Sequence, residues 1–253
     1  MIAVPTTAGT GSETTKNAVI SEIGENGFKK SLRHDNYVPN IALVDPELTT
    51  SCSPEITASS GMDAFTQLLE AYVSTKSSPL SDCLTYEGLK MVAASLKRAW
   101  HNGSDLEART GMAYGAMLSG IVLANAGLGV VHGFASSVGG LYPIPHGVVC
   151  GTLMAECAAM NIKRLKKSKE EAFFKYSRIG RLFSKETSLS DDYYCKLLVE
   201  SLFSYTEEMK IPRLSDYGVK KEKFKYIAEH TDNKNNPVFL SSDEMIEILE
   251  NRL

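Results

Sequence analysis

Two of the chain's five histidines stand in glycine- and proline-flanked apolar sequence: Gly127-Leu128-Gly129-Val130-Val131-His132-Gly133-Phe134 and Pro143-Ile144-Pro145-His146-Gly147. One histidine in such surroundings reads as a satisfied core residue. Two of them with a carboxylate, Asp63, form a mixed nitrogen and oxygen donor set suited to zinc or ferrous iron. Asp63 lies in Gly61-Met62-Asp63-Ala64-Phe65-Thr66-Gln67, a segment expected at the head of a helix. There Asp63 and Gln67, four residues apart, project from one face and can both offer oxygen to a cation. An aspartate in a first helical turn is also favoured by the helix macrodipole without any metal. His34, His101 and His230 lie in polar surroundings and read as surface residues.

A second segment able to do chemistry is Pro5-Thr6-Thr7-Ala8-Gly9-Thr10-Gly11-Ser12-Glu13. Its small residues permit close backbone approach, and its hydroxyls and amides can donate to phosphate or ribose oxygens. It is not a Rossmann fingerprint, because the third glycine is absent and strand-like sequence follows, nor a Walker loop, because no Gly-Lys-Ser/Thr follows. Chemistry alone favours a tight polar loop here.

The elements that must position these groups fall into two regimes divided near Asp45-Pro46. Before it, Thr14–Ile23 and Ile41–Asp45 are β-branched and strand-like, Met1–Val4 reads as the tail of a strand, and Gly24-Glu25-Asn26-Gly27 is a turn signal. After it, apolar residues at three-and-four spacing predict helices over 62–74, 81–100, 106–126, 148–165, 170–183, 193–209, 221–229 and 242–253. Ser53-Pro54 and Ser242-Asp243-Glu244 mark helix starts, and Gly103 and Ile211-Pro212 mark stops. The uncharged run Ala113–Val131 approaches the length of a membrane span, but its glycines, Ser119 and Asn125 suit a helix buried in a protein core and followed by a glycine-rich loop. A two- or three-stranded unit is marginal alone, so the strands are expected either to lean on the helices or to follow a further domain.

Composition bounds the partners. A 253-residue chain with 43% hydrophobic residues can bury a large core. A net charge of −3 gives no global basic field for nucleic acid. Five scattered cysteines without CxxC pairs, and no secretory leader pattern at Met1, fit a reducing cytoplasm.

Five ordered segments carry a resemblance: Pro5–Glu13, Ala42-Leu43-Val44-Asp45-Pro46-Glu47-Leu48-Thr49, Gly61-Met62-Asp63-Ala64, Gly127–Gly133 and Pro145-His146-Gly147. Together they are similar to the signature segments of the iron-containing (group III) alcohol dehydrogenases, and Asn236-Pro237 with Ser242–Leu249 is similar to that family's last helix. The resemblance covers essentially the whole chain. It implies a mainly α architecture, with an all-helical metal-binding domain over residues 49–253. Residues 1–48 would be a short β remnant of an α/β dinucleotide-binding domain, since the family's Gly-Gly-Gly-Ser pyrophosphate loop has no counterpart here.

The resemblance further implies hydride transfer between a small alcohol or aldehyde and NAD or NADP, assisted by one divalent ion, Fe2+ or Zn2+, and impaired in this chain by the lack of the pyrophosphate loop. Neither a nucleic-acid nor a membrane partner is implied, and homo-oligomers are compatible with it. The family's ligands are an aspartate and three histidines: Asp63, His132 and His146 match, and Gln67 stands where most members have a histidine. Ser136 stands where many have a further histidine. Thr6, Thr7, Thr10, Asn17 and Lys29 match the cofactor side. Two other readings stay open: a catalytically inactive metal-binding fragment, and the related dehydroquinate synthase-like enzymes, whose sugar-phosphate sites call for more basic residues near the metal than the sequence reveals.

Overall fold

The computed structural model describes residues 1–25 and 27–253; the turn signal around Asn26 therefore lies partly outside the described residues. The architecture is mainly helical, as expected. Helices α1 (Pro54–Val73), α2 (Pro79–His101), α3 (Leu106–Ala126), α4 (Val130–Leu141), α5 (His146–Leu165), α6 (Glu171–Gly180), α7 (Asp191–Glu208), α8 (Phe224–Glu229) and α9 (Ser242–Asn251) follow a short strand region. The caps are those that local chemistry dictates. The Ser53 hydroxyl accepts from the Ile56 amide with Pro54 in the first turn of α1, and Ser78 with Ser81 and Ser241 with Glu244 form reciprocal capping boxes on α2 and α9.

α1 is the central helix. From Gly61 to Val73 every residue is buried, and α1 packs on α2, α3 and α5. Its start at Pro54 is the one that Ser53-Pro54 marks, and it extends the periodic run read from Met62 back by two turns. Asp63 is therefore well inside the helix, beyond the reach of the amino-terminal dipole, which acts only over the first turn.

The segment after α3 is a second correction. Gly127 takes φ +70° and closes α3, and the chain turns through 98° before α4 begins at Val130. Only residues 127–129 form the expected glycine-rich loop. Residues 130–141 are a helix that glycine content concealed, because burial of the apolar face of α4 outweighs the modest helix cost of each glycine. Among the described residues no single helix is long and apolar enough to cross a membrane.

The strand region forms two small sheets. β1 (Ile2–Ala3) pairs in parallel with β4 (Ile41–Ala42), and β2 (Asn17–Glu22) pairs antiparallel with β3 (Phe28–Arg33) in the register Asn17↔Arg33 to Glu22↔Phe28. β3 is an addition to the sequence reading; its two lysines and an arginine hid its alternation. The hairpin docks on α4 through the Gly24 amide, which donates to the Gly140 carbonyl at 3.1 Å. The Thr-rich loop docks on α3 through Gly11, whose φ is +60° and whose Cα lies so close that an added Cβ would fall 2.4 Å from the Ala116 carbonyl oxygen. The strands lean on the helices, yet Ile2, Val19, Ile20, Ile23, Leu32 and Ile41 stay exposed.

Gly11→Ala should therefore destabilise the chain. The left-handed conformation alone costs about 1–2 kcal/mol and the clash adds about 1–3 kcal/mol. Urea unfolding reads this as a lowered midpoint, and an unchanged midpoint would mean that the loop is not held against α3.

Candidate metal centre

Four donor atoms converge where α1, α4 and α5 meet: one each from Asp63, His132, His146 and Cys150, all within 4.8 Å of one another. Asp63 is buried in the middle of α1. His132 stands in the first turn of α4, and His146 opens α5, with Cys150 one turn further on the same face. His132 Nε2 and His146 Nε2 lie 3.4 and 3.6 Å from Asp63 Oδ1, and Cys150 Sγ lies 3.8 Å from each of the two nitrogens.

Asp63 Oδ1 is buried and has no hydrogen-bond partner among the described residues. A buried polar atom without a partner is costly, so its vacancy needs a cause. A tetrahedral ion with bonds of about 2.0–2.3 Å holds its donors about 3.3–3.8 Å apart. The spacing of these atoms matches that value, and the donor chemistry fits a divalent transition ion.

The electrostatics hold Asp63 and His146 in their ligating forms and Cys150 and His132 in their protonated ones. Burial opposes ionisation of Asp63, but the His146 and His132 imidazoles outweigh it and hold its carboxyl below the ordinary range. Burial pushes His146 down to about 4, against the pull of Asp63, so its imidazole is neutral at pH 7. Burial also pushes the Cys150 thiol up, to about 11. His132 behaves oppositely: although burial favours its neutral form, the surrounding Cys150, Glu70 and Asp63 raise it well above the usual histidine value.

Glu70 explains how His132 is aimed. Its buried carboxylate accepts from the Val131 amide at 2.6 Å and pairs with His132 Nδ1 at 2.6 Å. This places the ring proton on Nδ1 and turns Nε2 toward Asp63. A second partner that fixes tautomer and orientation is the usual companion of a metal-bound histidine. Glu70 also satisfies the amino terminus of α4, where Gly129 offers no capping side chain.

Of the residues expected at the site, Asp63, His132 and His146 come together. Gln67 is buried beside them, its side-chain oxygen 2.9 Å from the Ser119 hydroxyl. A cavity of about 950 Å³ opens above the cluster, and Gln67, His132, His146, Thr10, Asn17 and Lys29 all line it. Thr6 and Thr7 are exposed and do not line it. Cys150 and Glu70 escaped the sequence reading, although the spacing of Cys150 from His146 and of Glu70 from Gln67 was a usable helical signal. The expectation of few basic residues near the donors is also overturned. Lys29 Nζ lies 3.3 Å from His146 Nδ1, and Lys234 lines the same cavity.

Comparison with known proteins places this geometry. Residues 57–253 match the model of the Fe-containing alcohol dehydrogenase family, C-terminal part, and residues 1–46 match that of iron-containing alcohol dehydrogenase. Alcohol dehydrogenase 4 of Saccharomyces cerevisiae is 34% identical over 99% of this chain, and NAD-dependent methanol dehydrogenase of Bacillus methanolicus is 32% identical over 100%. The chain spans 64% and 66% of those two relatives. Among solved structures, 1,3-propanediol oxidoreductase superposes with a TM-score of 0.89 at 33% identity, covering 100% of this chain and 65% of its own.

Removing the Glu70 carboxylate should be expensive. Glu70→Ala leaves His132 Nδ1 and the Val131 amide buried without their partner, a loss of about 3–5 kcal/mol for a broken buried pair. Glu70→Gln, which keeps an acceptor, should cost less. Chemical denaturation of both variants checks the order, and equal stability in all three proteins would refute the role given to Glu70.

Proposed function

The chain belongs to the iron-containing alcohol dehydrogenase family, and we propose that it holds the metal of an oxidoreductase moving hydride between an alcohol or aldehyde and NAD(P). The observation that carries this is the partnerless, buried Asp63 Oδ1, facing at metal-ligand spacing two imidazole nitrogens whose rings line a cavity. In this reading residues 49–253 are the metal-binding domain, and residues 1–48 belong to the cofactor-binding part.

Asp63, His132 and His146 would hold the ion, Fe2+ or Zn2+. With the Gln67 amide engaged by Ser119, Cys150 is the further protein donor in reach. A divalent ion bound there supplies Lewis acidity toward an alcohol or carbonyl oxygen. NAD(P), when bound, supplies the hydride chemistry. The chain's own residues do the positioning. Glu70 locks His132 with Nε2 facing the ion site, and burial keeps His146 neutral and available. Thr10 and Asn17, on the wall of the same cavity, offer a hydroxyl and an amide to the nicotinamide-side ribose. Thr6 and Thr7 lie further out on that loop, where they can reach only a more distant part of the cofactor.

Metal analysis after reconstitution should find about one divalent ion per chain, lost in His132→Ala and Asp63→Asn, together with metal-dependent reduction of NAD(P) by a primary alcohol. Absence of a stoichiometric ion in the unmodified chain would overturn the reading. The cobalt-substituted chain should also show a thiolate-to-cobalt charge-transfer band that disappears in Cys150→Ser. A cobalt spectrum without that band would remove Cys150 from the donor set and leave the other three.

A further inference from the structure

The four donors at the junction of α1, α4 and α5 are not alike. Three offer nitrogen or oxygen, and the fourth is the thiol of Cys150. Donor type bears on which ion a site prefers, because thiolate favours zinc whereas imidazole serves zinc and iron alike.

Cys150 is built into the cluster. It stands one turn after His146 on the same face of α5 and is fully buried. Its Sγ lies 3.8 Å from Nε2 of His132 and 3.8 Å from Nε2 of His146, the two nitrogens that also face Asp63 Oδ1 at 3.4 and 3.6 Å. Among the described residues its hydrogen-bonding neighbours all belong to the cluster. The two sulfur edges are longer than the two oxygen edges. A single ion at the centre requires that order, because a zinc–sulfur bond is about 2.3 Å long against about 2.0–2.2 Å for nitrogen or oxygen. The partnerless Asp63 Oδ1 and the sulfur thus stand on either side of the same pair of imidazole nitrogens.

The amide that could take the fourth place is anchored elsewhere. Gln67 follows Asp63 by one turn of α1, and its side chain meets the Ser119 hydroxyl at 2.9 Å, which also lies 2.7 Å from the Ala116 carbonyl. An amide oxygen suits harder ions such as magnesium or calcium. A thiol beside a bound dication, by contrast, loses its proton and ligates as an anion.

We propose that Cys150, and not Gln67, sets the identity of the ion: bound as a thiolate in the fourth position, it makes this a zinc centre in preference to a ferrous one. This rests on the function proposed above and names the metal that serves it.

Nitrogen and oxygen donors already favour zinc over ferrous iron, so the informative quantity is how far the preference depends on the sulfur. The unmodified chain, Cys150→Ser and Gln67→Ala are each titrated anaerobically with zinc and with ferrous iron against a chelator of known affinity. Zinc-edge X-ray absorption of the unmodified chain reads the donors directly, and one sulfur should appear at about 2.3 Å. The zinc-to-iron affinity ratio should fall at least roughly tenfold in Cys150→Ser, corresponding to about 1.4 kcal/mol, and stay unchanged in Gln67→Ala. A zinc shell of nitrogen and oxygen alone overturns the proposal, as does a ratio that Cys150→Ser leaves unchanged or that falls only in Gln67→Ala. X-ray absorption needs no variant, and so decides the matter even where Cys150→Ser fails to fold. Uptake of neither ion by the unmodified chain overturns the metal reading together with this one, whereas uptake of both without a sulfur donor overturns the zinc assignment alone.

Discussion

The Glu70 carboxylate, buried between α1 and α4, ties the fold to the site. Its two oxygens satisfy the amino terminus of α4 and the inner nitrogen of His132. Each function depends on the other. Without the α4 contact the carboxylate would be a buried charge lacking hydrogen bonds, and without the histidine contact the ring could rotate away from Asp63. α1 makes this possible because Asp63, Gln67 and Glu70 follow helical spacing and share one face. Packing of α1 against α2, α3 and α5 leaves that face nowhere to move.

His132 offsets the negative charge of Asp63 from 3.4 Å, but two features of the donor cluster stay unexplained by the side chains alone. His146 is held neutral by its surroundings, and Asp63 Oδ1 has no hydrogen bond. A bound cation resolves both features at once, since it accepts the imidazole lone pair and the carboxylate oxygen together. Lys29 and Lys234 line the cavity next to this cluster, with Lys29 Nζ 3.3 Å from His146 Nδ1.

The helices and the strands differ in how they meet solvent. The helical region buries a continuous core from Ala58 to Leu249, whereas both small sheets leave β-branched side chains exposed. Two-stranded sheets gain little by themselves and here depend on glycine-mediated contacts with α3 and α4. Those contacts matter to the site because they carry Thr10, Asn17 and Lys29 to the cavity wall.

By itself the sequence determined the helical regime, its caps and three of the side chains that converge, Asp63, His132 and His146. Three-and-four apolar spacing, Ser-Pro starts and an aspartate with two apolar-flanked histidines are local signals that need no partner to be read. The Thr-rich loop and the signature order likewise identified the family. Only the tertiary structure decided that Asp63 lies mid-helix, that Gly127 hands over to a further helix, that Cys150 and Glu70 stand against the histidines, and that Lys234 lines the cavity beside them. Cys150 and Glu70 stand at ordinary helical positions, where spacing shows a shared face and not what that face meets. Lys234 and Lys29 are far apart in sequence, and a lysine in polar sequence looks like any solvated residue. Their convergence comes from the loop pinned by Asn233, Asn235 and Asn236 and from the hairpin docked on α4, and long-range packing of that kind leaves no periodic trace in the chain.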